Sequence, residues 1–269
     1  SSPSCSGAGF STGVSRKEPR VTKTVSRWYS PRCGQEISLA RWGHWGQPVL
    51  LFPTAGGDAE EAERMGLVGA ISPLIEAGRV KLYSCDSIAG RALAARWGSV
   101  EERCRLLNRF EEYVAKEVVP AIRSDCHDDA IEVIAAGASI GAFKAVAVTC
   151  RYPWLFQAAI GMSGTYDLEG LLGFQGTEDF YFASPLAFLP NLGDGPTLDQ
   201  LRQRFVLMAY GQGRWENPGD AWRMADVLGA KRVPNRVDPW SEAHDHDWPT
   251  WREMLPKYLN ELIPEVAAP

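Results

Sequence analysis

The hydrophobic residues of the chain fall into short apolar runs separated by longer amphipathic stretches. Fully apolar runs such as "PVLLFPT" (48–54) and "IEVIAAG" (131–137) are typical of strands that are covered on both faces. Two earlier runs, "VTKTVSRWYS" and "EISLARW", are amphipathic and predict a hairpin across "PRCGQ". The chain therefore begins with two half-exposed strands and continues with buried ones.

Strands and helices then alternate to the end of the chain. The spacing of apolar residues predicts helices over "AGGDAEEAERMGLVGAISPLIEAG", "SVEERCRLLNRFEEYVAKEVVPAI" (99–122), "GAFKAVAVTCRYP" and "DWPTWREMLPKYLNELI" (247–263). The further predicted strands are "VKLYSCD" (80–86), "FQAAIGMSG" (156–164), "FVLMAYG" (205–211) and "RVDPW" (236–240). Such alternation predicts an α/β fold with a mainly parallel sheet and helices on both faces.

The rhythm of the pattern is interrupted in two places. Residues 1–20 are rich in Ser and Gly, and we interpret them as a flexible arm that precedes a single α/β domain over 21–269. Residues 165–204 are rich in aromatics, Gly and Pro, and they predict a small inserted cap or lid over the strand ends. At the head of the long helix, Ser99 and Glu102 predict a capping box.

Composition narrows the possible functions. The 269-residue chain is 45% hydrophobic with a net charge of −5, which disfavours a phosphate-binding or nucleic-acid-binding surface. No apolar run is long enough to span a bilayer. The six cysteines include no C-x-x-C pair, which disfavours zinc and thioredoxin-type sites, although disulfide pairing stays open. We predict a cytoplasmic location on this basis.

A lone serine between two glycines carries the most specific chemistry. The residues 137–141 read Gly-Ala-Ser-Ile-Gly, a G-x-S-x-G motif set between a predicted strand and a predicted helix. In that context a sharp turn raises the serine at the carboxyl end of the sheet, and larger residues at the glycine positions would collide with the backbone. The sequence therefore predicts Ser139 as a nucleophile, whereas no phosphate-binding loop pattern is present.

A nucleophilic serine needs a histidine base, and the four histidines differ in their position. His44 lies on a predicted hairpin edge and His127 in a polar loop at the wrong end of a strand. His246, in "EAHDHDWPTW", lies between the last strand and the last helix, where the order Ser, acid, His places its base. We therefore predict His246 as the base and interpret His244 as a solvated loop residue. A metal site at "HDHD" is disfavoured because no further ligands accompany it.

The base in turn needs a carboxylate that fixes its tautomer. Glu216 is the first acid after the strand "FVLMAYG", so we predict it as the third member. Position alone also permits a role for Glu216 at a helix start. The alternatives are Asp167, Asp220 and Asp226, of which the last two are expected on the following helix.

The remaining candidates concern the oxyanion and the substrate. The oxyanion hole is predicted to consist of the Ile140 N–H and an N–H of Ala55 or Gly56, in the glycine-containing loop after "PVLLFPT". Aromatic residues expected near these loops predict an apolar acyl pocket, although core packing explains them equally well; they are Trp215, Trp248, Phe180, Tyr181, Phe182 and Phe188.

Several of these motifs together resemble the putative-esterase family of α/β-hydrolases, which includes esterase D-type enzymes and the antigen 85 mycolyltransferases. The resemblance spans roughly Val21 to Leu262 and is most specific at His-Asp-Trp-Pro-x-Trp, where the family's catalytic histidine corresponds to His246. One departure is Ala138, where many hydrolases carry His or a larger residue before the serine.

The resemblance implies a serine carboxylic-ester hydrolase that works through an acyl-enzyme, without a cofactor or a metal. The expected partner is a small or lipid-like ester, with no nucleic acid and no membrane span, and an oligomer is possible. Two alternatives stay open at this point. One is an acyltransferase that uses the same triad, and the other is a catalytically silent binding protein with the hydrolase fold.

Overall fold

The computed structural model describes residues 21–95, 98–173 and 176–265. Within this part of the chain, eight strands form one sheet. Their bounds are β1 Lys23–Ser30, β2 Gln35–Trp42, β3 Gln47–Phe52, β4 Val80–Cys85, β5 Val133–Ala138, β6 Phe156–Met162, β7 Phe205–Tyr210 and β8 Asn235–Pro239. The predicted run 1–20 lies outside the described residues.

The strand order across the sheet is β1-β2-β4-β3-β5-β6-β7-β8. Strands β1 and β2 form the predicted antiparallel hairpin, and β2 also pairs antiparallel with β4. All the other pairs, from β4 to β8, are parallel. The predicted α/β fold with a mainly parallel sheet is therefore confirmed.

Helices connect the strands and lie on both faces of the sheet. Their bounds are α1 Glu61–Arg64, α2 Leu67–Ala70, α3 Ser72–Glu76, α4 Ile88–Ala95, α5 Val100–Tyr113, α6 Val119–Cys126, α7 Ile140–Arg151, α8 Leu168–Leu172, α9 Glu178–Ala183, α10 Pro185–Phe188, α11 Pro196–Leu201, α12 Pro218–Ala230 and α13 Trp248–Leu262. In this part of the chain, no helix is long and apolar enough to cross a membrane.

Two of the predicted helices are divided. The stretch predicted as one helix over 55–78 forms α1, α2 and α3, because Gly66 adopts a left-handed φ of 80° and Pro73 begins a new turn. The helix predicted over 99–122 contains a π-helical segment, Val114–Val118, before α6. Pro120 has no N–H to donate and lies in the first turn of α6, which accounts for the interruption. Helix α4 was not predicted.

The central strand β5 shows how the core is divided between the two faces. Val133 and Ala135 pack with Phe110 of α5 and Phe143 of α7. The alternate residues of β5 pack on the other face, in a cluster that contains Met254 of α13. Because side chains of a strand alternate between faces, a strand that is apolar throughout needs helices on both sides.

The predicted capping box at the head of α5 is confirmed. The Ser99 side chain accepts a hydrogen bond from the Glu102 N–H at 3.1 Å, and the Glu102 side chain accepts one from the Ser99 N–H at 2.6 Å. The region predicted as a cap, 165–204, contains the short helices α8 to α11 between β6 and β7. Its role as a lid stays a prediction.

We expect the packing of β5 to dominate stability near the turn that contains Ser139. Ile134 is 0% exposed, so Ile134→Ala should lower the free energy of unfolding by about 2–5 kcal/mol through lost burial and a residual cavity. Leu171→Ala is the control, because Leu171 is 42% exposed and a surface change of this kind costs less than about 0.5 kcal/mol. Urea unfolding monitored by tryptophan fluorescence measures both, and equal losses for the two variants would contradict this description of the core.

Candidate active site

Ser139 occupies a strained turn between β5 and α7. Its φ of 55° and ψ of −123° lie outside the regions that non-glycine residues ordinarily adopt. The Ser139 N–H donates to the Met162 carbonyl at 2.9 Å, which fixes the turn to the end of the neighbouring strand β6. The structure thus places Ser139 at the carboxyl end of the sheet, as predicted from the sequence.

The two glycines of the motif are required by close backbone contacts. A Cβ on Gly137 would lie 2.3 Å from the carbonyl carbon of Gly141, and a Cβ on Gly141 would lie 2.4 Å from the Phe52 carbonyl oxygen. Both distances are far below van der Waals contact, so neither position tolerates a side chain without movement of the backbone. The absence of side chains allows the start of α7 to approach the end of β3.

This approach brings the N-terminus of α7 toward the loop that follows β3. Thr54 in that loop donates twice to the Glu61 carboxylate, from its N–H at 2.8 Å and from its hydroxyl at 2.7 Å. The Gly57 N–H donates to the Thr54 carbonyl at 3.2 Å. Among the described residues, the N–H groups of Ala55 and Gly56 have no hydrogen-bond acceptor. They are therefore available to a ligand, as is the Ile140 N–H in the first turn of α7.

His246 directly precedes the cap of α13. Its N–H donates to the Arg214 carbonyl at 3.0 Å, and Asp247 caps the helix by accepting from the Trp248 N–H at 2.7 Å. The imidazole packs edge-on against the Trp251 ring, with 5.3 Å between ring centroids. Its side chain is 23% exposed, so the ring is held on one side and open to solvent on the other.

Two loops are joined so that His246 lies beyond the end of β7. The Gly213 N–H donates to the His244 carbonyl at 3.0 Å, and Arg214 forms an ion pair with Asp245 at 2.7 Å. Hydrogen bonds from Arg214 hold the pKa of the Asp245 carboxyl below its usual range. A Cβ on Gly211 would lie 1.9 Å from the His244 carbonyl oxygen, so a glycine is needed where the loops meet.

Glu216 is the carboxylate that faces the imidazole. Its Oε2 lies 3.9 Å from His246 Nδ1, which is longer than a hydrogen bond, and its side chain is only 2% exposed. Its Oε1 accepts a hydrogen bond from the Ser163 hydroxyl at 2.6 Å. Distances of this kind are often long in ligand-free enzymes and shorten in the substrate complex.

The three alternative acids have other positions. Asp220 is buried and accepts from the N–H groups of Tyr166 and Asp167, at 3.0 and 3.2 Å. Asp167 caps α8 and forms an ion pair with Arg223 at 2.8 Å. Asp226 is exposed on α12. Of the four candidate acids, only Glu216 is recorded as a partner of His246.

The other three histidines lie away from this arrangement. His44 and His127 line one open cavity of about 790 Å³. Gln47, the first residue of β3, and Lys81, the second residue of β4, line the same cavity. That cavity is at the amino end of the parallel strands, opposite to Ser139. His244 contacts the Ser241 hydroxyl at 2.9 Å and Glu253 at 3.4 Å, so it faces other partners than His246 does.

The aromatic residues predicted to line a pocket have different environments. Trp215 is 86% exposed and has a left-handed φ of 68°, next to Glu216. Trp248 packs edge-on against Trp251 with 4.9 Å between ring centroids. Phe180 is buried in the core, and Tyr181 contacts Phe182. Trp215 is thus accessible to a ligand and Phe180 is core, while a role in substrate binding stays a prediction for all six aromatic residues.

The sequence did not single out Ser163, which contacts Glu216, or Trp251, which contacts His246. It also did not single out Glu61, which accepts from Thr54 in the loop that contains Ala55 and Gly56. Ser163 directly follows β6, and Trp251 belongs to the His-Asp-Trp-Pro-x-Trp motif. Their proximity to Glu216 depends on how β6, α12 and α13 meet in space. A pattern along the chain does not contain that information.

We expect the contact between α7 and β3 to be essential for activity. Gly141→Ala places a methyl group against the Phe52 carbonyl, so the turn and the loop after β3 should separate, with a loss of kcat of at least about 100-fold, as for a lost oxyanion donor. Gly229→Ala is the matched control: this helical glycine has nothing within 4 Å of the added Cβ, and the change should stabilise the protein by about 0.4–1 kcal/mol. Steady-state ester hydrolysis and thermal unfolding distinguish the two, and normal turnover in Gly141→Ala would contradict the assignment.

Comparison with known proteins agrees with this architecture. The profile of the putative-esterase family matches residues 99–262, which is more than half of the chain. A search of curated proteins found no matching sequence.

Solved structures share the fold at low sequence identity. A ferulic acid esterase has a TM-score of 0.71 at 14% identity, with 91% of this chain and 98% of that chain covered. The S-formylglutathione hydrolase of Agrobacterium tumefaciens has a TM-score of 0.66 at 14% identity, covering 90% and 95%. For MPT51 of Mycobacterium tuberculosis the values are 0.62, 15%, 88% and 98%. The chain therefore belongs to the putative-esterase family, has the α/β-hydrolase fold and is a serine esterase.

Proposed function

We propose that Ser139, His246 and Glu216 form the catalytic triad of this esterase. The observation that carries the proposal is a continuous series of contacts at the carboxyl end of the sheet. The Ser139 N–H is bonded to the last residue of β6, and the residue that follows β6 is Ser163. Ser163 is bonded to Glu216, and Glu216 faces His246. The order Ser, acid, His along the chain also agrees with this fold.

In the proposed reaction, the Ser139 hydroxyl attacks the carbonyl carbon of an ester while His246 Nε2 accepts the hydroxyl proton. The Ile140 N–H and an N–H of Ala55 or Gly56 bind the oxyanion that develops. The carbon–oxygen bond to the alcohol then breaks, and His246 returns the proton to the departing alcohol. Water, activated by the same histidine, hydrolyses the acyl-serine and releases the acid.

Glu216 is proposed to orient His246 and to stabilise the imidazolium that forms during both steps. Its near-complete burial supports this role, because an ionised carboxylate in a low-dielectric site interacts strongly with a nearby cation. The hydrogen bond from the Ser163 hydroxyl to Oε1 holds the carboxylate with Oε2 toward His246. Glu216 also directly precedes Asn217, the cap residue of α12, as its position in the sequence permits. Its carboxylate, however, accepts from Ser163 and faces His246, which favours the catalytic role.

The substrate is proposed to be a small ester, with the region 165–204 as a cap over its binding site. In support, α9 in this region is attached to α5, where the Asn108 side chain donates to the Asp179 carbonyl at 3.0 Å. The exposed Trp215 beside Glu216 offers an apolar surface at the same edge. A cytoplasmic location stays a proposal, which is supported by the free thiols of Cys33, Cys85, Cys104, Cys126 and Cys150.

Covalent labelling tests the nucleophile. A fluorophosphonate should modify Ser139 in the folded enzyme, and mass spectrometry of the digested protein identifies the site. Ser139→Ala should prevent labelling and lower kcat for p-nitrophenyl esters by about 10⁴–10⁶-fold. A label on another serine, or retention of turnover in Ser139→Ala, would rule out this nucleophile.

Replacement of the candidate acids tests which carboxylate is the third member of the proposed triad. Glu216→Gln should lower kcat by about 10³–10⁴-fold with little change in KM, because the amide does not stabilise an imidazolium. Asp226→Asn removes an exposed carboxylate on α12 and should leave kcat unchanged. If the two variants are equally active, the acid is not Glu216.

Product analysis with an added acceptor alcohol separates hydrolysis from acyl transfer, and hydrolysis predicts free acid as the main product.

A further inference from the structure

Ser163 is held rigidly at the end of β6. It is 3% exposed, and its φ of 49° is left-handed, which is uncommon for a residue with a side chain. Its N–H donates to the Ala209 carbonyl on β7 at 2.7 Å. A buried residue in a strained conformation at a strand end is a candidate for a functional role, and its hydroxyl contacts the proposed triad acid.

The direction of the hydrogen bonds around Ser163 is fixed by chemistry. The Trp251 indole donates to Ser163 Oγ at 2.9 Å, and an indole N–H can only donate. The Ser163 proton is therefore directed to its other partner, Glu216 Oε1, at 2.6 Å. An ionised carboxylate can only accept, so the two partners leave the serine hydroxyl one orientation.

The same polarity continues to the histidine. With Oε1 occupied, Oε2 is the carboxylate oxygen that faces His246 Nδ1, at 3.9 Å. Because this oxygen accepts, it favours the tautomer in which Nδ1 carries the proton. Nε2 then has the free lone pair that a general base needs.

Trp251 contacts both ends of this series. Its indole N–H binds Ser163, and its ring packs edge-on against His246 at 5.3 Å. One side chain of α13 therefore limits the rotation of the imidazole and also sets the orientation of the hydroxyl that holds the acid. Trp251 is itself 4% exposed, so its position is fixed by the core.

We propose that Ser163 and Trp251 are positioning residues that set the tautomer of His246 through Glu216. This inference rests on the proposed triad. The order of donation runs from the Trp251 indole to the Ser163 hydroxyl and from that hydroxyl to Glu216 Oε1, while Glu216 Oε2 faces His246 Nδ1 at 3.9 Å. Neither Ser163 nor Trp251 needs to touch the substrate.

The variants are Ser163→Ala, Ser163→Gly and Trp251→Phe. Both serine variants remove the hydroxyl, and glycine also adopts a left-handed φ without strain. We expect kcat to fall roughly 10- to 100-fold in both, with KM unchanged, as for other residues that orient an active-site ligand. Trp251→Phe keeps an aromatic ring beside His246 but removes the indole N–H that donates to Ser163. The kcat of this variant should therefore fall less than that of the two Ser163 variants.

A second cluster on the far edge of the sheet supplies matched controls. There, Ser30 and Trp28 of β1 donate to the Glu117 carboxylate at 3.1 and 3.0 Å. Ser30→Ala and Trp28→Phe remove the same kinds of hydrogen bond from a carboxylate that is remote from Ser139. These variants should keep the kcat of the parent enzyme.

A purely structural role of Ser163 would not change the tautomer of His246. The tautomer is therefore the readout that distinguishes a positioning role. Nitrogen NMR of the labelled His246 ring should show Nδ1–H in the parent enzyme and in both control variants, and a mixture of tautomers in Ser163→Ala. The proposal is overturned if Ser163→Ala and Ser163→Gly keep full kcat, if glycine restores the activity that alanine loses, or if the controls lose as much. Activity that survives in Ser139→Ala would instead disprove the triad.

Discussion

The contact between the backbones of Gly137 and Gly141 is the constraint on which the site depends. A Cβ at either position would lie within 2.4 Å of a main-chain atom, so only glycine allows β5 to turn directly into α7. The strained conformation of Ser139 is the result of that turn. The same contact presses α7 onto the end of β3, which brings the free N–H of the helix start and the loop after β3 to the same edge. Ser139, the proposed nucleophile, and the proposed oxyanion donors are therefore positioned by one feature.

Two buried or partly buried carboxylates organise the loops around this turn in a similar way. Glu61 accepts both donors of Thr54 and so shapes the loop that contains Ala55 and Gly56. Glu216 accepts from Ser163 and faces His246. In both cases a carboxylate accepts hydrogen bonds from a neighbouring residue, and these bonds fix the orientation of the carboxylate. The site is thus held by polar contacts whose direction is determined, on a frame held by apolar packing.

Much of this arrangement could be predicted from the sequence, and there is a physical reason why the rest could not. The predicted strands agree with β1 to β8. For β3 to β7 the reason is that a short apolar run bounded by turns has few alternatives, whereas β1 and β2 were predicted from their amphipathic pattern. The positions of Ser139 and His246 in the fold were predictable because each motif requires a local geometry, a strained turn for Ser139 and a helix entrance for His246. The divided helices were not predicted, since Gly66 and Pro120 interrupt patterns that are otherwise periodic. Ser163 and Trp251 were missed because their partners come from β6, α12 and α13, which meet only in the folded chain.

The most direct measurement is a crystal structure of the enzyme after reaction with a phosphonate. The phosphonyl oxygen should lie about 2.7–3.1 Å from the Ile140 N–H and from that of Ala55 or Gly56. Glu216 Oε2 and His246 Nδ1 should approach from 3.9 Å to hydrogen-bond distance while Ser163 keeps its bond to Oε1. An oxygen that points to solvent, or an imidazole bound to Asp167 or Asp220 in place of Glu216, would contradict the proposed site.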